Sequence, residues 1–170
     1  MHVVVTHRFD CSPETFWRRI FFDPAYNEAL FVGYLGFPSY KTNSLRETPD
    51  RIERVVRVTP PQNAPEFVRK LVKGTLSYEE NGAWTAADGI YRFRTVPSMM
   101  PDKISIAGSV RAEPAGPGGM NRIVEVDIGV RVMIVGGAVE RFLAGEIESS
   151  YSRAAEFTGK WIPEKGLRTA

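Results

Sequence analysis

Residues 121–162 read NRIVEVDIGVRVMIVGGAVERFLAGEIESSYSRAAEFTGKWI, and this stretch decides the fold. Over 121–135 the chain alternates. Val124, Val126, Ile128, Val130, Val132 and Ile134 fall on one face of an extended strand, and Glu125, Asp127 and Arg131 on the other. Such alternation describes an antiparallel strand with one dry face and one wet face. Gly136-Gly137 breaks it, and the period then becomes helical. Val139, Leu143, Ile147, Tyr151, Ala154, Thr158 and Trp161 form one stripe running to about Ile162, with Glu156 and Lys160 spaced to pair on the outside. A helix of about 26 residues spans about 39 Å, enough to cross a sheet.

Upstream, the chain supplies that sheet. Residues 2–11 read as a strand with Val3, Val5, His7 and Phe9 on one face and His2, Thr6 and Arg8 on the other. Ser12-Pro13-Glu14 then gives a helix cap, a proline in the first turn and an early carboxylate, followed by Phe16, Trp17, Ile20 and Phe21 at helical spacing. Asp23-Pro24 repeats the device, with Tyr26, Ala29 and Leu30 as the apolar face, and Gly33 and Gly36-Phe37-Pro38 end that second helix. Strands are expected at 39–48, 51–60, 74–81, 88–96 and 103–113, before the long one at 121–135. Turns are expected at Thr48-Pro49-Asp50, Asn81-Gly82, Pro97, Pro101-Asp102 and Pro114 to Gly119. Pro65 to Val72 reads as a short helix. The expected class is α+β: a curved seven-stranded antiparallel sheet around a long C-terminal helix, with two short helices between strands 1 and 2. Residues 1–162 form a single domain in this reading, and 163–170 a flexible tail.

Composition narrows the function. The chain has 170 residues, 43% hydrophobic and 25% charged, an ordinary globular mix. Its 22 basic and 20 acidic residues leave a net charge of +2, and basic side chains alternate with acidic ones. No cationic run marks a nucleic-acid groove. No stretch reaches the roughly 18 apolar residues of a membrane span. Met1 to Arg8 has an apolar patch without a basic start or a cleavage site, so a cytoplasmic location is expected. Cys11 is the one cysteine, which excludes an internal disulfide; it reads as a small apolar residue at a strand end. With two histidines, His2 and His7, the chain has no typical closed zinc set. It also lacks a phosphate-binding loop and a nucleophile elbow. No cofactor, metal or catalytic set is expected.

Three stretches carry a resemblance. They are Phe9-Asp10-Cys11-Ser12-Pro13-Glu14 with Trp17, Ser77-Tyr78-Glu79-Glu80 followed by Trp84, and Val135-Gly136-Gly137-Ala138-Val139-Glu140. Together with the element order, they make nearly the whole chain resemble the helix-grip fold of the START and Bet v 1-like (SRPBCC) superfamily, within a bacterial branch of uncharacterised function. That resemblance implies a cavity between sheet and C-terminal helix. Superfamily members bind lipids, sterols, hormones and polyketides, and some act on them, as aromatase/cyclases do.

Within such a cavity the informative residues are polar ones in register with apolar neighbours. Ile52, Arg54, Val56 and Val58 share a face, and so do Leu76, Tyr78 and Glu80. If these faces are concave, Arg54 and Glu80 pair inside, with His7 beside them. Tyr91, Phe93, Val126, Ile128, Val130, Leu143, Ile147 and Tyr151 supply aromatic and aliphatic lining. Met99 and Met100, in the loop Pro97 to Pro101, read as an entrance that gates the cavity or touches a membrane transiently. Three functions fit. The first is non-catalytic binding or transfer of a hydrophobic molecule such as a lipid, sterol or isoprenoid. The second is a cyclase or dehydratase in which Arg54, Tyr78, Tyr91, His7 or Glu80 polarises a carbonyl or moves a proton. The third is a protein-interaction module whose cavity is filled by Phe93, Trp84 and Trp161.

Overall fold

The computed structural model describes residues 1–169. Strand β1 (His2–Phe9) leads into two short helices, α1 (Pro13–Phe16) and α2 (Pro24–Glu28). Each continues into a wider π-helical turn, Trp17–Phe21 and Ala29–Tyr34 respectively. Then follow β2 (Ser39–Glu47), β3 (Arg51–Thr59), the short helix α3 (Glu66–Leu71), β4 (Tyr78–Thr85), β5 (Ile90–Pro97), β6 (Ile104–Pro114), β7 (Met120–Val130) and the long helix α4 (Gly136–Glu164). The caps are those the sequence signals. Ser12 Oγ accepts from the Thr15 amide at 3.1 Å, and Asp23 Oδ1 from the Tyr26 amide at 2.8 Å.

All seven strands form one antiparallel sheet in the order β1-β7-β6-β5-β4-β3-β2. This is the helix-grip arrangement. Its inner face can be followed from strand to strand by register. Arg54 lies opposite Gly82, Gly82 opposite Phe93, Phe93 opposite Gly108, and Gly108 opposite Val126, which pairs with Val3. Helix α4 packs chiefly on β1 and β7, at one side of the sheet, and on the Ala29–Tyr34 turn. Tyr26 Oη and Thr158 Oγ1, 2.7 Å apart, tie α2 to α4, and Thr158 also donates to the Ala154 carbonyl. A second apolar cluster, Ala64, Val68 and Val139, seats α3 against the start of α4.

Four expectations are corrected. Asn81-Gly82 is not a turn but the middle of β4, which runs Tyr78–Thr85 rather than 74–81. The glycine is needed there for space: a Cβ at position 82 would overlap the hydroxyl end of Tyr91, whose ring lies over it. The reversal comes later, through Gly89 at φ +67°. Strand β7 stops at Val130 rather than 135, so Val132 and Ile134 leave the inner face. Ile134 takes φ +71° in a turn and, like Met133, is exposed. The tail expected at 163–170 is docked in its described part. Helix α4 continues to Glu164, Leu167 is buried, and the Ser12 amide donates to Thr169 Oγ1 at 2.9 Å; Ala170 lies outside the described residues. Glu156 accepts from Tyr34 Oη at 3.1 Å instead of pairing with Lys160.

Candidate functional site

The inner face carries two buried guanidinium groups. Arg54 comes from β3, where the period-two pattern turns it inward with Ile52, Val56 and Val58; it is 7% exposed. Its Nη1 donates to the Phe21 carbonyl at 2.9 Å, and its Nη2 lies 3.4 Å from Glu80 Oε1. The Phe21 carbonyl is free to accept because the Trp17–Phe21 turn ends at Asp23-Pro24, where a new helix begins. Glu80 Oε1 also accepts from Tyr91 Oη at 2.9 Å. Phe21, Phe22 and Tyr91 ring the guanidinium, with centroids 4.6, 5.3 and 5.4 Å from its carbon. Burial works against the Arg54 charge, but Tyr40, Tyr91 and Glu80 outweigh it, and its pKa is raised. Burial pushes the Tyr40 hydroxyl up to about 12, and that hydroxyl has no hydrogen-bond partner among the described residues.

The second guanidinium is Arg122 of β7, 5% exposed. Its Nη2 donates to His7 Nδ1 at 3.1 Å and to the Tyr151 carbonyl at 3.0 Å. An arginine only donates, so His7 Nδ1 is the acceptor and the ring is the neutral Nε2–H form. Burial first, and Arg122 second, lower the His7 pKa. The Phe9 and Tyr151 rings cover the guanidinium at 5.1 and 5.2 Å. No carboxylate among the described residues lies within ion-pair distance of Arg122. Burial lowers its pKa, against the smaller influence of Tyr26 and Tyr151. Sequence reasoning missed this residue. The signal was present: one more step of period two before Val124 turns Arg122 inward.

Between these centres the wall is incompletely covered. Because α4 leans toward β1 and β7, the inner faces farther along the sheet are not matched by helix. Tyr78, Tyr151, Ile106, Val130, Leu143 and Ile147 all face inward and remain only half-buried. The hydroxyls of Tyr78 and Tyr151 make no hydrogen bond among the described residues, yet neither belongs to the fully buried unpartnered groups, so each keeps accessible surface. Their pKa values are nevertheless raised, first by desolvation, then by Glu80.

The remaining sequence-predicted residues fall into three places. Phe93, Val126 and Ile128 are buried in the floor of the sheet. A Cβ at Gly108 would meet the Glu125 carbonyl oxygen and, at 2.8 Å, Phe93 Cζ. Met99 and Met100 are half-buried in the β5–β6 loop, Met100 at φ +53°. His7 does not join Arg54 and Glu80: four strands separate β1 from β3, and its partner is Arg122. Of the bulky side chains expected to fill a cavity, Phe93 is in the floor, and Trp84 and Trp161 pack among other aromatic rings. Trp84 lies tilted against Trp17 with centroids 6.2 Å apart, and Trp161 packs on Tyr26 and Phe157. Cys11 is buried and its thiol is pushed up to about 11 by burial and Asp10, as an inert structural cysteine requires. Among the described residues, no three His, Cys, Asp or Glu side chains converge to hold a metal. No helix is long and apolar enough to cross a membrane. Two open clefts of about 710 and 860 Å³ are present, the first of them lined in part by Arg54 and Gly82. The first runs along β2–β5 beside Arg46, Arg51 and Arg92, and the second at the sheet end beside Trp17, Trp84 and Arg111.

Comparison with known proteins agrees with this architecture. Residues 4–162 match the family described as protein of unknown function, DUF2505. An uncharacterized protein of Mycobacterium tuberculosis and one of Mycobacterium bovis are each 26% identical over 102 residues, and the match spans 59% of this chain and 59% of each relative. Among solved structures, the Zhui aromatase/cyclase from Streptomyces superposes with a TM-score of 0.64 at 11% identity, covering 95% of this chain and 94% of that one. A START superfamily protein from Mycobacterium smegmatis gives 0.61 at 15% identity, covering 95% and 98%. Norcoclaurine synthase from Thalictrum flavum, in complex with dopamine and hydroxybenzaldehyde, gives 0.63 at 12% identity, covering 96% and 88%. At these identities the likeness is one of fold.

Proposed function

The chain belongs to the DUF2505 family, and we propose that it binds or carries a hydrophobic small molecule between the sheet and α4 without transforming it. One observation carries this reading. Apolar side chains from α4, β6 and β7 are left half-covered, and the Tyr78 and Tyr151 hydroxyls have no hydrogen-bond partner among the described residues. An apolar body would cover the first, and polar atoms on the same molecule would satisfy the second. Both enzymes and a START superfamily protein share the fold, so architecture alone does not separate binding from turnover. The polar groups favour binding. Glu80 is engaged by Arg54 and Tyr91 together, and Arg54 is enclosed by three rings, so this pair is held by its protein partners.

Native mass spectrometry of the purified protein, followed by organic extraction, tests this directly. The expected result is a defined apolar adduct, or saturable binding of the neutral dye Nile red when the adduct has been removed. Ile147→Trp fills the space and should abolish dye binding while leaving the fold intact by circular dichroism. Undiminished binding in that variant would place the dye outside the grip and sink the reading.

A further inference from the structure

Two arginines are buried on the inner face and one carboxylate, Glu80, is in contact with either of them. The interior therefore holds one positive charge in excess. The excess is located: Arg54 has Glu80, and Arg122 has only a neutral imidazole, a backbone carbonyl and two ring faces. A guanidinium stays charged at every pH a protein meets, so it cannot relieve the cost by losing its proton. Nor are its donors used up. Both bonds Arg122 makes leave from Nη2. Its Nε is buried without a partner. Its Nη1 donates to nothing among the described residues. Tyr151, whose ring covers the guanidinium, adds a free hydroxyl close enough for Arg122 to act on its titration.

From this we infer that the ligand is a monoanion, an apolar body ending in a carboxylate, and that Arg122 Nη1, assisted by the Tyr151 hydroxyl, receives that carboxylate. The inference rests on the binding reading above and adds the chemical class of the ligand to it. One negative charge restores neutrality; a phosphate monoester, close to a dianion, would overshoot it. Charge-assisted hydrogen bonds are the strong ones, and in a desolvated site they separate an acid from its matched alcohol.

The test uses the full chain and two probes of equal length, dodecanoate and dodecan-1-ol, each displacing Nile red at about pH 8, where the acid is ionised. The acid should displace the dye at concentrations about tenfold lower than the alcohol, or lower still. In Arg122→Met, with each probe's displacement scaled to that variant's own dye affinity, the acid and the alcohol should converge to within roughly twofold. Arg122→Lys, which keeps the charge but loses the fork, should retain a reduced acid preference. Equal displacement by acid and alcohol in the unaltered protein, with dye bound, would overturn the carboxylate and leave the binding reading standing. That comparison needs no variant to fold. An acid preference that survives Arg122→Met would remove Arg122 from the assignment. Failure of dye and both probes to bind would take away the cavity reading itself, and this inference with it.

Discussion

Arg54, mid-strand in β3, and Arg122, near the start of β7, both point into the grip, and both are almost fully buried. Their surroundings differ. Arg54 lies beneath the turn that joins α1 to α2, held by a carboxylate, a carbonyl and three rings. Arg122 lies under α4 with no anion in reach. The same side chain at the same depth thus serves two purposes. Where its charge is balanced internally, it locks the short helices onto the sheet. Where it is not, it leaves an electrostatic demand that something else must meet. The opposite directions of the two pKa shifts, up for Arg54 and down for Arg122, express the same contrast.

The contrast is most exposed to test at Glu80. Replacing it with alanine strands Arg54 without its anion, and should cost about 3 kcal/mol of stability or more, read as a lower urea midpoint. Arg122→Met removes a charge that has no ionic partner, so its cost in the ligand-free protein should stay within about 1 kcal/mol. If both variants lose stability equally, the two sites are alike and the comparison fails. The smallest effect concerns His7. Its folded pKa lies below the 6.5 of the free side chain, so the unfolded chain takes up the proton more readily. The stability this contributes is complete above that value and is lost as the pH falls through the lowered folded value. Following the ring protons of His7 by NMR should show its titration moving part of the way back toward 6.5 in Arg122→Met, because burial, the larger cause, remains.

Much of this site was legible. Period two in β3 turned Arg54 inward, and the same rule in β4 placed Glu80 on the facing row, although the strand was cut short. Asn-Gly is a strong hairpin signal, and only the approach of Tyr91, a residue on another strand, overrides it. His7 was assigned to the wrong arginine because strand order is a tertiary property. Alternation gives the face of a strand, not its neighbours, and β1 closes on β7 rather than β3. Arg122 obeyed the alternation but stood one step before the apolar run that announced the strand. The long helix was plain from its stripe, whereas its lean toward β1 and β7, which leaves the wall uncovered, follows from packing alone. The π-helical turns left no mark on the apolar spacing.

One feature of the sheet bears on how this chain can change over generations. At Gly82 the space of a missing side chain is occupied by a ring from β5, that of Tyr91, whereas at Gly108 a Cβ would meet the Glu125 backbone carbonyl oxygen first and the Phe93 ring second. Volume that belongs to two positions is therefore encoded at one. Gly82 cannot gain a side chain unless the ring above it shrinks or shifts, and shrinking Tyr91 also withdraws the hydroxyl that holds Glu80. Positions 82 and 91 are thus inherited as a pair, and viable departures from Gly–Tyr should arrive together with a new partner for Glu80.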